Sequence, residues 1–119
     1  GTRYDALRMI AMAGWDQRGS HLVNYLTEGL PNQLQMGAVS GLSDIQSDQI
    51  IEPLIQAIAR LSPRNRQLAV EALMRTETRA LALLKAVESS RLASEPSELK
   101  SLLDHPSKTV RIRASHLLN

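Results

Sequence analysis

The chain has 119 residues, a length typical of one domain; 43% of them are apolar, 3% are aromatic and phenylalanine is absent. Its 14 basic and 12 acidic side chains give a formal charge of +2, which excludes a polyelectrolyte-type binder. Cysteine is absent, which excludes thiol nucleophiles, thiolate metal sites and covalent haem attachment. The longest apolar runs span five residues, far below the roughly 20 that a membrane helix requires.

The composition favours an all-α domain with an aliphatic core, because leucine and alanine are abundant and are strong helix formers. We expect no strand. In chain order, apolar spacing and capping signals predict helices at about 3–13, 18–28, 32–43, 48–60, 63–74, 77–89, 96–103 and 108–118. Side chains suited to N-capping precede four of these helices, at Ser47, Ser62, Thr76 and Ser107.

An internal repeat divides the chain into similar units. An alanine followed four residues later by leucine or isoleucine recurs at Ala6, Ala38, Ala69 and Ala114, at spacings of 32, 31 and 45 residues. A second apolar pair at helical spacing follows each of the first three, so each unit holds two helices. The sequence therefore predicts a single domain over residues 1–119, with units at about 1–30, 31–60, 61–90 and 91–119. An insertion at 90–103 lengthens the last spacing.

The repeat also predicts which helix faces are buried. On the helix at 63–74 the apolar stripe comprises Leu68, Ala69, Ala72 and Leu73, and the opposite face carries Arg64, Gln67 and Glu71. Arg66 and Arg111 occupy one fixed position of the repeat, so we expect them to pair with polar groups of a neighbouring unit. The prediction is a right-handed α-α superhelix of about three helical pairs and a C-terminal capping region.

Two segments resemble the Asp-Pro-x-Val-Arg-x-x-Ala start of short HEAT repeats. They are Ser62-Pro63-x-x-Arg66-x-x-Ala69 and Ser107-x-x-Val110-Arg111-x-x-Ala114, with serine in place of the capping aspartate. A resemblance that covers nearly the whole chain is to the HEAT segment of large planctomycete-type haem-binding proteins. It is carried by residues 6–15, 81–91 and 102–114, which include Ala13-Gly14-Trp15 and Asp104-His105-Pro106.

This resemblance implies a role as well as a fold. In that family a dehydrogenase-like β-propeller region precedes the HEAT segment, and a c-type cytochrome carrying Cys-x-x-Cys-His follows it. The resemblance implies a non-catalytic scaffold or protein-interaction module that links domains of an exported, cell-envelope or periplasmic protein. Haem c would belong to the parent protein and not to this segment. We accordingly expect the chain to be a segment of a longer polypeptide whose partners are its other domains or another protein.

Candidate catalytic and metal-binding residues are weak throughout the sequence. His21, His105 and His116 contain no same-face pair four residues apart, and His105 lies at a turn where it would serve as a cap. The acidic residues Asp44, Asp48 and Glu52 lack the loop of a calcium site. Serine, histidine and aspartate occur without a nucleophile elbow. We therefore predict no catalytic, metal-binding or cofactor-binding residue and no small-molecule substrate.

Arginine-rich positions leave a second function open, that of a nucleic-acid-binding helical-repeat domain. The basic residues that would form such a stripe are Arg60, Arg64, Arg66, Arg75 and Arg79, with Lys108, Arg111 and Arg113 nearer the end. Against it, Glu71, Glu77 and Glu88 are interleaved, and only Tyr4, Trp15 and Tyr25 are available to stack bases. For a third alternative, a HEAT-type lyase-like enzyme domain, the sequence offers no candidate catalytic residue.

Overall fold

The computed structural model describes residues 19–26 and 30–118, and within these ranges it contains helices and no strand. The α-helices are α1 Ser20–Val23, α2 Asn32–Ser43, α3 Ile51–Ile58, α4 Pro63–Leu73, α5 Glu77–Glu88, α6 Pro96–Leu99 and α7 Lys108–Leu118. Short 3₁₀ helices extend three of them, at Asn24–Leu26, Asp48–Ile50 and Lys100–Asp104. The chain divides into two compact units, residues 1–69 and 70–119.

The all-α prediction is confirmed, and the predicted helix positions agree with the described ones to within a few residues. The predicted helix at 3–13 lies outside the described residues. The helix expected over 48–60 begins as a 3₁₀ turn and ends at Ile58, and the one expected over 96–103 changes to 3₁₀ geometry at Lys100. Pro53 fits the first turn of α3 because its missing N–H is one that a helix start leaves unpaired anyway.

The four predicted N-caps are confirmed by hydrogen bonds. The Ser47 hydroxyl accepts from the Gln49 N–H and the Ser62 hydroxyl from the Asn65 N–H, at 3.2 and 3.3 Å. The Thr76 hydroxyl accepts from the Arg79 N–H at 3.1 Å, and the Ser107 hydroxyl accepts from the Val110 N–H at 3.3 Å. Each bond pairs one of the amide groups that the first turn of a helix leaves without an internal partner.

In the first unit, α1 and the 3₁₀ turn that follows it pack on α2. The buried apolar residues of α2 are Ala38, Val39 and Leu42, and those of α3 are Ile51, Leu54, Ile55, Ala57 and Ile58. Ala69 is completely buried, and Arg64, Gln67 and Glu71 are exposed, as predicted for these positions. Leu68, which the sequence placed on the apolar stripe, is only half-buried. Small side chains such as Ala38 and Ala57 allow neighbouring helix axes to approach closely.

In the second unit, α5 packs on α7, and α7 also packs on the 3₁₀ helix Lys100–Asp104. The insertion at 90–103 contributes its own apolar side chains to the interior, since Leu92, Leu99 and Leu102 are all buried. It is therefore a packed part of this unit. On α5, Leu81 and Val87 are only half-buried, so the buried face is narrower than the sequence predicted.

Helix α5 ends in a left-handed turn at Ser90, whose φ is 64°. The Ser90 N–H donates to the Val87 carbonyl at 3.1 Å, and the Arg91 N–H donates to the Ala86 carbonyl at 2.8 Å. This pair of bonds is a Schellman motif, which pairs the last carbonyl groups of a helix and places glycine most often at the left-handed residue. Here an exposed serine occupies that position.

Among the described residues, no helix combines the length and the apolar character that crossing a bilayer requires.

Candidate interaction sites

A polar cluster in the second unit is centred on His105, which is buried with 8% of its surface exposed. Its Nδ1 accepts a hydrogen bond from the Ser107 N–H at 2.9 Å, so the ring proton is on Nε2. That Nε2 lies 2.9 Å from the Met74 carbonyl oxygen and donates to it. Met74 follows the last residue of α4, so His105 satisfies a carbonyl that the helix end leaves free.

Ser107 and Arg111 complete this cluster. The Ser107 hydroxyl donates to Glu77 Oε2 at 2.8 Å, which joins the start of α7 to the start of α5. Arg111 Nη1 donates to the carbonyls of His105 and Pro106 at 2.6 and 3.0 Å. The prediction that Arg111 pairs with a neighbouring unit is therefore corrected, because its partners lie in the loop before its own helix. The side chain points back toward the helix N-terminus, where those carbonyls lie.

A second polar link lies in the first unit, at Asn65. Asn65 is 2% exposed, and its Nδ2 donates to the Asn32 carbonyl at 3.1 Å and to Gln35 Oε1 at 3.3 Å. It thereby joins the first turn of α4 to the first turn of α2. The side chains of Asn65 and Gln35 are 30 residues apart in the chain, as are those of Ser107 and Glu77. Each link therefore joins the start of one helix to the start of the α-helix two before it in the chain.

An open cleft of about 620 Å³ lies in the first unit, between the turn that follows α1 and one side of α3. Its polar lining consists of Asn24, Gln49, Glu52, Gln56 and Arg60, all of them exposed. Gln56 Nε2 donates to Glu52 Oε1 at 3.3 Å. The described residues of the lining include no histidine, serine or other nucleophile, and their chemistry is that of polar contact.

A smaller cavity of about 200 Å³ in the same unit lies between the starts of α2 and α4. Its lining comprises Asn32, Gln33, Met36, Ser62, Arg64 and Asn65. The Asn65 amide is already held by α2, and Arg64 is exposed.

The predicted histidines lie in separate surroundings. His21 contacts the edge of the Tyr25 ring with a centroid separation of 5.5 Å, His105 is buried in the polar cluster, and His116 is exposed on α7. Over residues 19–26 and 30–118, no group of three or more histidine, aspartate or glutamate side chains is placed to hold a metal ion. Asp44, Asp48 and Glu52 are exposed.

The arginine positions of the nucleic-acid alternative differ in exposure. Arg60, Arg64 and Arg75 are exposed, and Arg66 is half-buried. Arg79 is 5% exposed, because it shares one face of α5 with Leu83 and Ala86. It is thereby removed from any basic stripe. Of the aromatic residues considered for base stacking, Tyr25 is half-buried, and Tyr4 and Trp15 lie outside the described residues.

Sequence reasoning missed the link that Asn65 makes, and it predicted His105 as a helix cap without identifying Met74 as its partner. Asn65 lies beside Arg64 in a segment whose sequence is typical of an ordinary amphipathic helix, and the sequence around His105 is typical of a turn. The available signal was a polar residue at a repeat position that holds a valine in the last unit. Asn65 occupies the same repeat position as Val110, which is buried, so a buried asparagine there requires partners.

In the part of the chain that the structure describes, every buried side-chain nitrogen and oxygen atom has a hydrogen-bond partner. The buried polar residues are thus engaged in holding the helices. A comparison with protein-family models, curated proteins and solved structures finds no match to this chain.

Proposed function

We propose that the chain is a non-catalytic scaffold built from short HEAT-like repeats, a protein-interaction module that links domains of a larger polypeptide. The observation that carries this proposal is the pair of polar links, each of which joins the start of one helix to the start of the α-helix two before it. Asn65 joins the helical pair at 61–90 to the pair at 31–60, and His105 with Ser107 joins the last unit to the pair at 61–90. Stacking of successive helical pairs through such nearest-neighbour contacts is the organising feature of solenoid proteins.

The use of the buried polar groups also supports a scaffold. A catalytic site needs side chains that are positioned for a substrate rather than committed to the fold. Both ring nitrogens of His105, the buried histidine of the second unit, form hydrogen bonds with backbone groups. The open cleft of the first unit is lined by three carboxamide side chains, one carboxylate and one guanidinium group, which suits contact with a protein surface.

The parent protein in this proposal is an exported, haem-binding, dehydrogenase-like protein. Its support is the resemblance of residues 6–15, 81–91 and 102–114 to the HEAT segment of such proteins. The test is the reading frame on either side of the segment. The proposal expects a β-propeller sequence upstream and a Cys-x-x-Cys-His motif downstream, and a frame with neither would contradict this parent.

The second candidate, a nucleic-acid-binding repeat domain, is tested on the chain itself. Fluorescence anisotropy with a labelled DNA duplex of about 20 base pairs is measured at about 50 mM and about 200 mM salt, since phosphate contacts are strongly salt-dependent. The scaffold proposal expects no saturable binding at low micromolar protein concentration. Tight binding that weakens steeply with salt would favour the nucleic-acid alternative.

A further inference from the structure

The exposed face of α7 combines basic side chains with one exposed apolar residue. The helix carries no acidic residue, and its exposed positions include Lys108, Thr109, Ile112, Arg113 and His116. At 100° per residue Ile112 and His116 lie near the centre of this face, opposite the buried Val110 and Ala114. Ile112 is 48% exposed, one of the two large apolar side chains this exposed in the described chain.

Helix α4 provides an internal comparison, because Ala69 and Ala114 occupy the same position of the repeat. The residues of α4 that match Ile112 and His116 are Gln67 and Glu71, and both are exposed. The fold therefore accepts a polar residue and an acidic residue at these two positions. On α7 the same two positions hold an apolar residue and a histidine. With Lys108 and Arg113 beside Ile112, the α7 face is apolar at its centre and cationic around it.

The cations on this face are available to a partner. Arg111 is committed to the carbonyls of His105 and Pro106. Lys108 and Arg113, by contrast, are exposed on either side of Ile112. From Lys108 to His116 the face extends over about 12 Å, two turns of helix.

We propose that this face of α7 binds an acidic, amphipathic protein segment, with an apolar side chain on Ile112 and carboxylates beside Lys108 and Arg113. This inference rests on the proposed scaffold function and names its partner's chemistry. Complementary charge around an apolar contact gives both attraction and orientation at a protein interface. A phosphate backbone would leave Ile112 without a partner, and α7 holds no aromatic side chain on which bases stack.

The test uses three fluorescein-labelled probes in anisotropy titrations against the whole chain. The first is a peptide of about 14 residues with leucine at every third or fourth position and glutamate elsewhere, which presents about four helical turns. The second has serine in place of each leucine. The third is a DNA duplex of about 20 base pairs, long enough for several phosphate contacts.

The expected result is saturable binding of the leucine peptide and binding at least about fivefold weaker for the serine peptide, a difference of about 1 kcal/mol. Ile112→Gln introduces the residue type that α4 has at the matching position, Gln67. Ile112→Gln and Arg113→Gln should each weaken binding of the leucine peptide by a similar factor. Arg64→Gln on α4 is the matched control and should change nothing, because it removes an exposed arginine from a different helix.

The failures of the two proposals are distinguishable. If neither peptide nor DNA binds, or if both peptides bind the parent and the variants equally, the assignment of the α7 face is wrong and the scaffold proposal stands. If DNA binds more tightly than the leucine peptide and Arg113→Gln weakens it, both proposals are overturned. Circular dichroism of each variant confirms that the helices are retained.

Discussion

Nε2 of His105 lies 2.9 Å from the carbonyl oxygen of Met74, a residue 31 positions earlier in the chain. The contact ties the loop before α7 to the end of α4 and is completed on the other side of the ring by the Ser107 N–H. We expect His105→Ala to lower the free energy of unfolding by about 1–3 kcal/mol, since two part-buried backbone groups lose their partner and a buried side chain is removed. Urea denaturation measures the change.

The control for this substitution is His116→Ala. His116 is exposed on α7, so its removal should change the free energy of unfolding by no more than about 0.5 kcal/mol. Equal losses for the two histidine variants would mean that His105 does not bridge the two loops.

The same geometry predicts the tautomer of His105. Because Nδ1 accepts from an amide, the neutral ring carries its proton on Nε2. A long-range ¹H–¹⁵N correlation spectrum at alkaline pH distinguishes the two ring nitrogens by chemical shift. A protonated Nδ1 in that spectrum would contradict the assigned hydrogen bonds.

Substitution by glycine should change the stability of the protein in opposite directions at the adjacent residues Ser90 and Ser89. A left-handed conformation costs a non-glycine residue roughly 1–2 kcal/mol, and the added freedom of glycine in the unfolded chain opposes the gain by about 0.4–1 kcal/mol. Ser90→Gly should therefore stabilise the protein by about 0.8 kcal/mol, the difference between the midpoints of these two ranges. Thermal melts of the variant and the parent measure it.

Ser89→Gly is the matched control. Ser89 has φ −86°, where glycine has no conformational advantage, so the variant should lose about 0.4–1 kcal/mol. If both glycine variants move the melting temperature in one direction, the left-handed turn is wrongly placed.

Ala69 tests the packing of α4. It is completely buried, and Ala69→Leu adds volume to a filled interior at a cost of roughly 1–3 kcal/mol. Arg64→Ala on the same helix changes an exposed side chain and should shift stability by no more than about 0.5 kcal/mol. A larger loss for Arg64→Ala than for Ala69→Leu in thermal melts would refute the assigned faces.

Helix positions and caps were predictable because they depend on local signals. Ser62 and Ser107 precede amphipathic segments, and each accepts the amide hydrogen bond that an N-cap serine makes. The buried faces followed from the repeat, since small residues such as Ala69 and Ala114 recur at one position. The change to 3₁₀ geometry at Lys100 and the left-handed Ser90 were not predictable, because they arise from how the insertion packs.

The polar links could not be predicted because they depend on tertiary neighbours. The two links use different residues and join different helices, a buried asparagine in one and a histidine with a serine in the other, so no shared motif marks them. The burial of Arg79 was missed for a similar reason. An arginine in the first turn of a helix reads as solvent-exposed, but Arg79 faces the interior of its unit with Leu83.

The proposed helical-repeat scaffold requires direct contact between successive helical pairs, and a double-mutant cycle on Gln35 and Asn65 measures that contact. The parent, Gln35→Ala, Asn65→Ala and the double variant are unfolded in urea, and the coupling free energy is calculated from the four values. Because Asn65 Nδ2 and Gln35 Oε1 form a buried hydrogen bond between the two pairs, the account predicts coupling of about 0.5–3 kcal/mol. Additive losses, with coupling near zero, would contradict the stacking on which the proposed function rests.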